Sequence, residues 1–352
     1  MKLLHLADLH LGSEMNARLT AENAKLRRGE LRAAFYRAVE YAKASGVAAV
    51  LLCGDVFDTA LPMQQDKEFF YDVIRSTPSL TFFYIKGNHD EIEDTEQLPN
   101  LKTFTADGWM SYDLGEGVCV SGIELNGQNS ESYYDTLRLE VGKKNVVLLH
   151  GQLAETKGEE KICLRALAGK HIDYLALGHI HTYSSGSIDA RGTYAYAGCL
   201  EPRGFDEVGV KGFVLVDIGQ GVSHTFIENA ARSVELVEVD VGGLGGPAQV
   251  LQKVERELTV DEADMPRVVL VGEVDFDTED LANFVYTHLK GKYFALSVKD
   301  ETQKALHLEE YEGQVSIEAE FVRVVLANDT LTQGQKKQVI AMGLKALKGE
   351  KL

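Results

Sequence analysis

Short apolar runs alternate with amphipathic segments along the first two thirds of the chain. Each run is bounded by turn residues or charge, as buried strands are. The runs LLHLA, VAAVLLC, LTFFYI, VVLLH and IDYLALG begin at Leu3, Val47, Leu80, Val146 and Ile172. Between the first two, residues 21–44 carry apolar side chains at helical spacing and predict a helix. The alternation predicts an α/β domain built in layers.

The pattern changes twice after this first block. From about residue 117 to 227, short strands and glycine turns predict a second sheet, including a hairpin about Gly219–Gly221. Beyond residue 230, strands and helices alternate again and predict a smaller α/β module. Its elements are expected at Val234–Val241, Pro247–Leu258, Arg267–Phe276, Thr278–Lys290 and Tyr293–Val298. We therefore expect domains at 1–230 and 231–325, followed by a helical tail at 326–352. A stripe predicted to dock the tail helix comprises Val339, Met342, Leu344 and Leu347.

Composition narrows the class of protein. The 352 residues are 45% apolar and 26% charged, and no apolar run approaches the ~20 residues of a membrane span. We predict a cytoplasmic protein with no membrane partner, since Asp8 and His10 interrupt the first apolar run too early for a signal peptide. The four cysteines are scattered, which favours reduced, buried thiols over disulfides or a zinc-thiolate site.

Five predicted strands end in residues able to bind metal ions. The carboxyl ends of strands in an α/β sheet form a crevice, so residues distant in sequence can converge there. Each motif alone is weak evidence, but the repetition is a strong signal. The motifs are Asp8-Leu9-His10, Gly54-Asp55, Gly87-Asn88-His89-Asp90, His150-Gly151 and Gly178-His179-Ile180-His181.

Their donor atoms indicate the kind of ion. Carboxylate and amide oxygens with neutral imidazole nitrogens suit Mn²⁺, Fe or Zn better than Ca²⁺ or an iron–sulfur cluster. Two such ions roughly 3.5–4 Å apart generate a hydroxide nucleophile and clamp the oxygens of an in-line phosphoryl displacement. We expect two divalent ions, with Mn²⁺ preferred and Fe, Zn and Mg as alternatives.

These motifs resemble those of the calcineurin-like metallophosphoesterases: DxH, GDxxD, GNHD, HG and GHxH, from Asp8 to His181. The opening DLHLG, the GDVFD and the following α/β module are similar to the SbcD-type DNA repair exonucleases. The resemblance implies an α/β/β/α sandwich with a smaller α/β capping domain. It also implies a metal-dependent DNA phosphodiesterase with exonuclease activity on duplex ends and endonuclease activity on single strands.

The resemblance also implies roles for single residues. Asp8, His10 and His181 would hold one metal ion, with Asp55 bridging to the second. His89 would lie over the scissile phosphate, stabilising charge or protonating the leaving oxygen. The residues implied to complete the second metal position are Asn88, His150 and His179.

For several side chains near these motifs, the sequence is compatible with two different roles. Asp90 either orients His89 or shapes its turn. Asp58 either contacts the site or begins a helix. Arg203 either lines a substrate cleft or only pairs with Glu201 or Asp206. The basic stretch Lys25, Arg27, Arg28 and Arg32 is either a solvated helix face or a contact for DNA phosphates. Histidines assigned a structural role are His5, His171, His224, His288 and His307.

Charge bears on the partners. With 36 Lys and Arg against 54 Asp and Glu, the net charge is −18, which opposes tight binding of nucleic acid by bulk electrostatics. Two bound divalent ions would offset this locally. The resemblance implies DNA, an SMC-like coiled-coil ATPase of the SbcC type, and a homodimer through helices near Gln64–Ser76 and Thr95–Thr105. Because the tail after the second predicted domain is short, we expect little room in it for a long partner-binding extension.

Two other functions compete with the nuclease. A small-substrate phosphodiesterase or phosphatase would use the same metal ions, but it needs a closed pocket rather than a cap over a polymer cleft. A non-catalytic scaffold is disfavoured, because a suitable residue stands at every ligand position and such polar groups are costly to bury.

Overall fold

The computed structural model describes residues 1–15, 19–59, 62–90, 96–311, 313–347 and 349. The strands are β1 (Lys2–Leu6), β2 (Ala49–Cys53), β3 (Thr81–Ile85), β4 (Leu101–Thr103), β5 (Met110–Gly115), β6 (Val118–Gly122), β7 (Lys144–His150), β8 (Gln152–Leu153), β9 (Lys161–Ile162), β10 (Tyr174–Gly178), β11 (Ser184–Ser187), β12 (Thr193–Tyr196), β13 (Gly212–Ile218), β14 (Val222–Glu228), β15 (Val234–Asp240), β16 (Met265–Val271), β17 (Glu273–Val274), β18 (Ser297–Asp300) and β19 (Gln303–Lys304). The helices are α1 (Ala21–Ala44), α2 (Gln64–Arg75), α3 (Tyr133–Thr136), α4 (Leu164–Leu167), α5 (Pro247–Glu257), α6 (Leu281–Leu289), α7 (Ile317–Leu326) and α8 (Gln333–Leu347), with a 3₁₀ turn at Leu308–Tyr311.

The chain forms two compact units. The first comprises Met1–Leu236, Val260–Arg267 and Gly291–Ser297. The second comprises Val237–Thr259, Val268–Lys290 and Val298–Leu352. The tail helix therefore belongs to the second unit, and two short segments beyond residue 230 belong to the first.

The first unit is built around two six-stranded sheets. Their strand orders are β14-β13-β1-β2-β3-β4 and β11-β12-β10-β7-β6-β5. The facing sides bury an apolar core that includes Leu51 and Phe83 from one sheet and Val146 and Leu148 from the other. Helices α1 and α2 pack on the outer side of the first sheet, and the short helices α3 and α4 pack on the outer side of the second. The predicted α/β/β/α layering is confirmed, as is the hairpin of β13 and β14. The hairpin was expected in the second sheet, however, and instead extends the first, because β13 pairs antiparallel with β1.

Helix α1 spans the residues predicted for it. The Thr20 hydroxyl accepts a hydrogen bond from the Asn23 N–H at 3.1 Å, which caps the helix start. The basic stretch on this helix is not the uniform solvated face expected from the sequence. Arg27 is fully buried and forms ion pairs with Glu30 and Glu201, because the helix packs against the segment after β12.

His5 forms a polar link between the two sheets. It lies on β1 with no solvent exposure, and both ring nitrogens contact β10. One nitrogen, Nδ1, lies 2.9 Å from the Tyr174 hydroxyl. The other, Nε2, lies 3.1 Å from the Leu177 carbonyl oxygen, which can only accept, so Nε2 carries the proton. The structural role predicted for this histidine is confirmed.

The second unit contains most of the three-stranded sheet β15-β16-β18 together with α5 to α8. The strand predicted over Arg267–Phe276 is interrupted at Gly272, whose φ of +109° is unfavourable for other residues. The predicted strand Tyr293–Val298 begins only at Ser297. None of the helices in the described ranges is long and apolar enough to cross a membrane.

The apolar stripe predicted on the tail helix was largely wrong. Val339, Met342 and Leu347 are exposed, and of the predicted stripe only Leu344 is buried. Together with Ile340, it packs against Val322 and Val325 of α7. The residues of α8 that face α7 are four apart, at positions 340 and 344. The apolar residues of the tail did not by themselves show which of them would face α7.

Of the two helices implied for a homodimer, the described residues contain one, and Thr95, where the second was expected to begin, lies outside them. Helix α2 covers the first segment. Residues 96–105 contain strand β4 instead, which pairs in parallel with β3. The second helix is therefore wrong, and the dimer stays a proposal.

Substitution Phe35→Ala should destabilise the first unit. The ring is fully buried and stacks on Phe70, with ring centroids 5.7 Å apart, so its removal should lower the free energy of unfolding by about 3–5 kcal/mol. The neighbouring Tyr36 is 51% exposed, and Tyr36→Ala should change stability by no more than about 0.5 kcal/mol. Urea denaturation of both variants measures this. Equal losses would contradict the assigned packing.

Buried His5 should make stability depend on pH. Burial lowers the pKa of His5 to about 3, so below pH ~6.5 the unfolded chain binds a proton that the folded chain excludes. This group should therefore lower the free energy of unfolding by up to about 1.4 kcal/mol per pH unit as the pH falls from ~6.5 toward 3. Urea denaturation of metal-free protein between pH 4 and 7 should give a shallower dependence for His5→Gln, and equal slopes would refute this assignment.

Candidate metal centre

The predicted ligands meet where the carboxyl ends of strands from both sheets lie side by side. In the first sheet β1, β2 and β3 are parallel neighbours, and in the second sheet β7 and β10 are parallel neighbours. The loops after these five strands therefore open at one edge of the sandwich. The residues they carry are Asp8, His10, Asp55, Asn88, His89, His150, His179 and His181.

Glycine permits the close approach of these loops. A Cβ on Gly178 would collide with the Cys53 carbonyl oxygen at the end of β2. A Cβ on Gly87 would collide with the Asp55 carboxylate. Any larger residue at either position would push the two sheets or the ligand loops apart.

Strained backbone accompanies the ligands. Four non-glycine residues at the site have positive φ: 52° at Asp8, 45° at His10, 51° at Asp55 and 102° at His179. Such conformations cost on the order of 1–3 kcal/mol each and persist only where surrounding structure imposes them. Here the rest of the sandwich holds the side chains in one place.

The first group of donor atoms comes from Asp8, His10 and His181, all within 4.8 Å of one another. The Nε2 atoms of His10 and His181 lie 3.2 Å apart. Asp8 also accepts the His179 backbone N–H, at 2.9 Å from Oδ1, which ties β1 to the loop after β10.

The second group comes from Asp55, His150 and His179, again within 4.8 Å. The Asn88 Oδ1 atom lies 3.1 Å from His150 Nε2 and 3.2 Å from His179 Nδ1, so it faces the same point. His150 Nδ1 donates to the Cys53 carbonyl at 2.8 Å, which leaves the lone pair of Nε2 directed at the group.

Asp55 lies between the two groups. Its Oδ2 is 3.3 Å from His150 Nε2 and 4.0 Å from His10 Nε2. Its Oδ1 accepts the His89 backbone N–H at 2.9 Å. Asp55 therefore lies near donors of both groups, and the bridging role that the resemblance implied for it stays a prediction.

The electrostatics of this cluster favour bound positive charge. Burial raises the pKa of Asp8 to about 6. Burial also opposes ionisation of Asp55, but the hydrogen bond and charge of His150 outweigh it and lower the pKa of Asp55. Because buried carboxylates without a cation are costly, and the remaining donors are amide oxygen and imidazole nitrogen, these residues fit two divalent cations.

The residues assigned to roles beside the metal ions also lie here. His89 is exposed, and its Nδ1 donates to the Asp58 carbonyl at 3.1 Å, which leaves Nε2 free of that bond. The Asp58 carboxylate is 2.9 Å from His10 Nδ1. Since the next helix begins at Gln64, the helix-start role for Asp58 was wrong.

Asp90 shapes the turn that carries two of the site residues. Its buried carboxylate accepts the backbone N–H groups of Phe57 at 2.8 Å, Val56 at 3.1 Å and Gly87 at 3.2 Å. These bonds join the loop after β2 to the loop after β3. Of its two predicted roles, the geometry supports the shaping of the turn.

The pairs expected for Arg203 were wrong. Its side chain forms ion pairs with Asp58 and Glu207, whereas Glu201 binds Arg27 and Arg37. Glu207, which none of the motifs predicted as a site residue, has its Oε1 2.7 Å from His181 Nδ1. The available signal was the charged run EPRGFDE after the last motif, which has no diagnostic spacing.

A cavity opens beside the ion pairs of Arg203. Its volume is about 350 Å³. The residues that line it are Ser13, Glu14, Met15, Asp58, Thr59, Arg203, Gly204, Asp206 and Glu207.

Two clusters of carboxylate, amide and imidazole donors around one shared aspartate, at the edge of a two-sheet sandwich, define a phosphoesterase that uses two metal ions. Residues 1–183 match the model of the calcineurin-like phosphoesterase family. The match spans more than half of the chain, and the chain belongs to this family. The predicted class, a hydrolase of phosphoesters, is confirmed.

Curated relatives carry a more specific name. The DNA double-strand break repair protein Mre11 of Thermoplasma acidophilum is 24% identical over 334 residues, which covers 90% of this chain and 78% of that protein. The protein of the same name from Methanopyrus kandleri is 25% identical and covers 73% of this chain, which spans 63% of its length. Among solved structures, a dimetal phosphatase from Danio rerio matches 65% of this chain and 99% of its own, at 11% identity and a TM-score of 0.42.

Substitution Asp55→Ala should weaken both metal positions together, because its carboxylate lies between the two groups of donors. Protein loaded with Mn²⁺ and then desalted should retain fewer than one ion per chain by elemental analysis. Asp113→Ala is the control, since Asp113 is 59% exposed and pairs with Lys143. Full metal content in Asp55→Ala would exclude the bridging role.

Proposed function

We propose that the chain is a metal-dependent DNA phosphodiesterase that processes DNA ends. The observation that carries this proposal is the pair of donor groups joined through Asp55, in a chain similar over 90% of its length to a protein named for double-strand break repair. The site supports phosphoester hydrolysis, and the relative's name supports DNA as substrate. Exonuclease and endonuclease activities both belong to the proposal.

The proposed chemistry assigns each group of residues a task. Asp8, His10, His181 and Asp55 would hold one cation, and Asp55 with Asn88, His150 and His179 would hold the other. Bound divalent cations would supply an activated water near neutral pH and neutralise charge on the phosphate. We favour Mn²⁺ as the ion, because the donors mix oxygen with imidazole nitrogen and include no thiolate.

His89 is proposed to donate a proton to the leaving oxygen. Its Nδ1 is occupied by the Asp58 carbonyl, so Nε2 is the atom available to substrate. Its backbone N–H binds Asp55, which fixes the ring beside the metal ligands, with its centroid 5.2 Å from that of His10. Asp90 acts through the turn rather than through the His89 ring.

A coiled-coil ATPase of the SMC type is the proposed partner. The second unit exposes apolar side chains on α7 and α8, including Ile317, Val324 and Met342 at 73%, 61% and 51%. Exposed apolar side chains in one region are typical of protein-binding surfaces. The net charge of −18 is consistent with modest affinity for DNA in the absence of a partner.

Three further parts of the proposal concern assembly and location. We propose that the protein forms a homodimer, that its second unit caps the cleft that binds DNA, and that it acts in the cytoplasm.

Purified protein loaded with Mn²⁺ should shorten an end-labelled linear duplex. His89→Ala should keep both metal ions, because the His89 ring is not among their ligands, yet lose turnover by about 10²–10⁴-fold. Gel electrophoresis of the labelled DNA measures the activity, and elemental analysis measures the metal content. A chelator-treated sample is the negative control.

Two results would redirect the assignment. An intact duplex beside hydrolysis of a simple aryl phosphodiester would favour the small-substrate enzyme. Loss of metal from His89→Ala would make this histidine a ligand and remove its proposed role as proton donor.

A further inference from the structure

Glu207 fixes the orientation of one predicted ligand. Its Oε1 lies 2.7 Å from His181 Nδ1. A carboxylate only accepts hydrogen bonds, so Nδ1 carries the proton and the lone pair of Nε2 points toward His10. The two Nε2 atoms are 3.2 Å apart and face the same metal position.

A second carboxylate, that of Asp58, lies within ion-pair distance of His10. Its Oδ1 lies 2.9 Å from His10 Nδ1, on the side of the ring opposite to the metal position. Both histidines of this position are therefore backed by a carboxylate. Such partners fix the tautomer and raise the basicity of a ligating imidazole.

Arg203 joins the two carboxylates. Its guanidinium forms an ion pair with Asp58 and, at 3.2 Å, with Glu207 Oε1. The Arg203 backbone N–H also donates to Glu207 Oε2 at 2.6 Å. Because the fork of a guanidinium has fixed geometry, one side chain sets the separation of the two carboxylates.

Burial makes this arrangement rigid. Glu207 is only 8% exposed. The buried ammonium group of Lys211 donates to the His181 carbonyl at 2.9 Å, which holds the backbone of the same ligand. The contacts of Glu207 and Lys211 with His181 use its Nδ1 and its carbonyl oxygen, and neither is the Nε2 atom proposed to bind the metal ion.

The other metal position is backed differently. His150 Nδ1 donates to a neutral backbone carbonyl, that of Cys53. A neutral acceptor fixes the tautomer equally well, but it adds no negative charge behind the ring. The structure therefore places two carboxylates behind one position and a carbonyl oxygen behind the His150 ligand of the other.

We propose that Glu207 and Arg203 are positioning residues that make the position of Asp8, His10 and His181 the tighter of the two metal sites. The juxtaposition that carries this is the Asp58–Arg203–Glu207 network behind His10 and His181. It rests on the proposed two-metal centre. The first cation binds at this position, and the second binds beside His150 at higher metal concentration.

Calorimetric titration with Mn²⁺ tests this inference on metal-free full-length protein. The wild type should bind two ions with separable affinities. In Glu207→Gln, which keeps a hydrogen-bond acceptor but removes the charge, the tighter site should weaken by roughly 10–100-fold. The affinity of the weaker site should not change, because Glu207 contacts none of its predicted ligands. Co²⁺ absorption of the singly loaded protein should change in the same variant, since its ligands face that position.

Matched variants separate positioning from general damage. Asp173 is 4% exposed and pairs with Arg191 and Lys144, so Asp173→Asn also removes a buried, paired carboxylate and should leave both affinities unchanged. Arg203→Lys, which keeps the charge but not the fork, should weaken the tighter site less than Arg203→Met. Circular dichroism in chelator verifies the fold of each variant.

The outcomes distinguish this inference from the proposal beneath it. A wild type that binds no Mn²⁺ would overturn the metal centre and this inference together. Two ions in the wild type with unchanged affinities in Glu207→Gln would overturn only the positioning role. Equal weakening of both sites, or the same weakening in Asp173→Asn, would also overturn it.

Discussion

The buried carboxylate of Asp55 is the interaction on which the site depends. It lies between His10 and His150, which come from different sheets, and it accepts the backbone N–H of His89. A charge in this position is unfavourable unless positive charge or hydrogen bonds surround it. The two sheets, the turn after β3 and the metal donors are thereby coupled through one side chain.

Close approach of backbones makes that coupling possible. Gly87 and Gly178 leave no room for a Cβ against Asp55 and Cys53, and the loops beside them adopt positive φ at four ligand-bearing residues. Strain of this kind is offset by the apolar core between the sheets, where side chains such as Leu51 and Leu148 are fully buried. The apolar core between the sheets thus stabilises loop conformations that these loops would not adopt in isolation.

Local sequence patterns predicted most of the residues that the structure brings together at the site. Each motif from Asp8 to His181 follows a strand that apolar runs predict, so the topology of parallel strands was sufficient to bring the predicted ligands to one edge. Helix α1 was likewise predicted from a local pattern, the helical spacing of its apolar side chains. The buried face of the tail helix could not be predicted in this way, because it is set by the position of α7, against which the helix packs.

The sequence alone determined the family, the α/β layering and the metal-binding residue types, because these follow from short-range periodicity and from residues adjacent to strand ends. Only the tertiary structure decided that Arg203 binds Asp58 and Glu207, that Arg27 is buried, and that Asp90 joins two loops. Arg203 and Asp58 are 145 residues apart, and Arg27 and its partner Glu201 are 174 apart. Arg203 and Glu207 are only four apart, but the segment that carries them forms no helix that would predict their pairing. Charge patterns have no period that identifies such partners, so their pairing follows from packing rather than from local sequence.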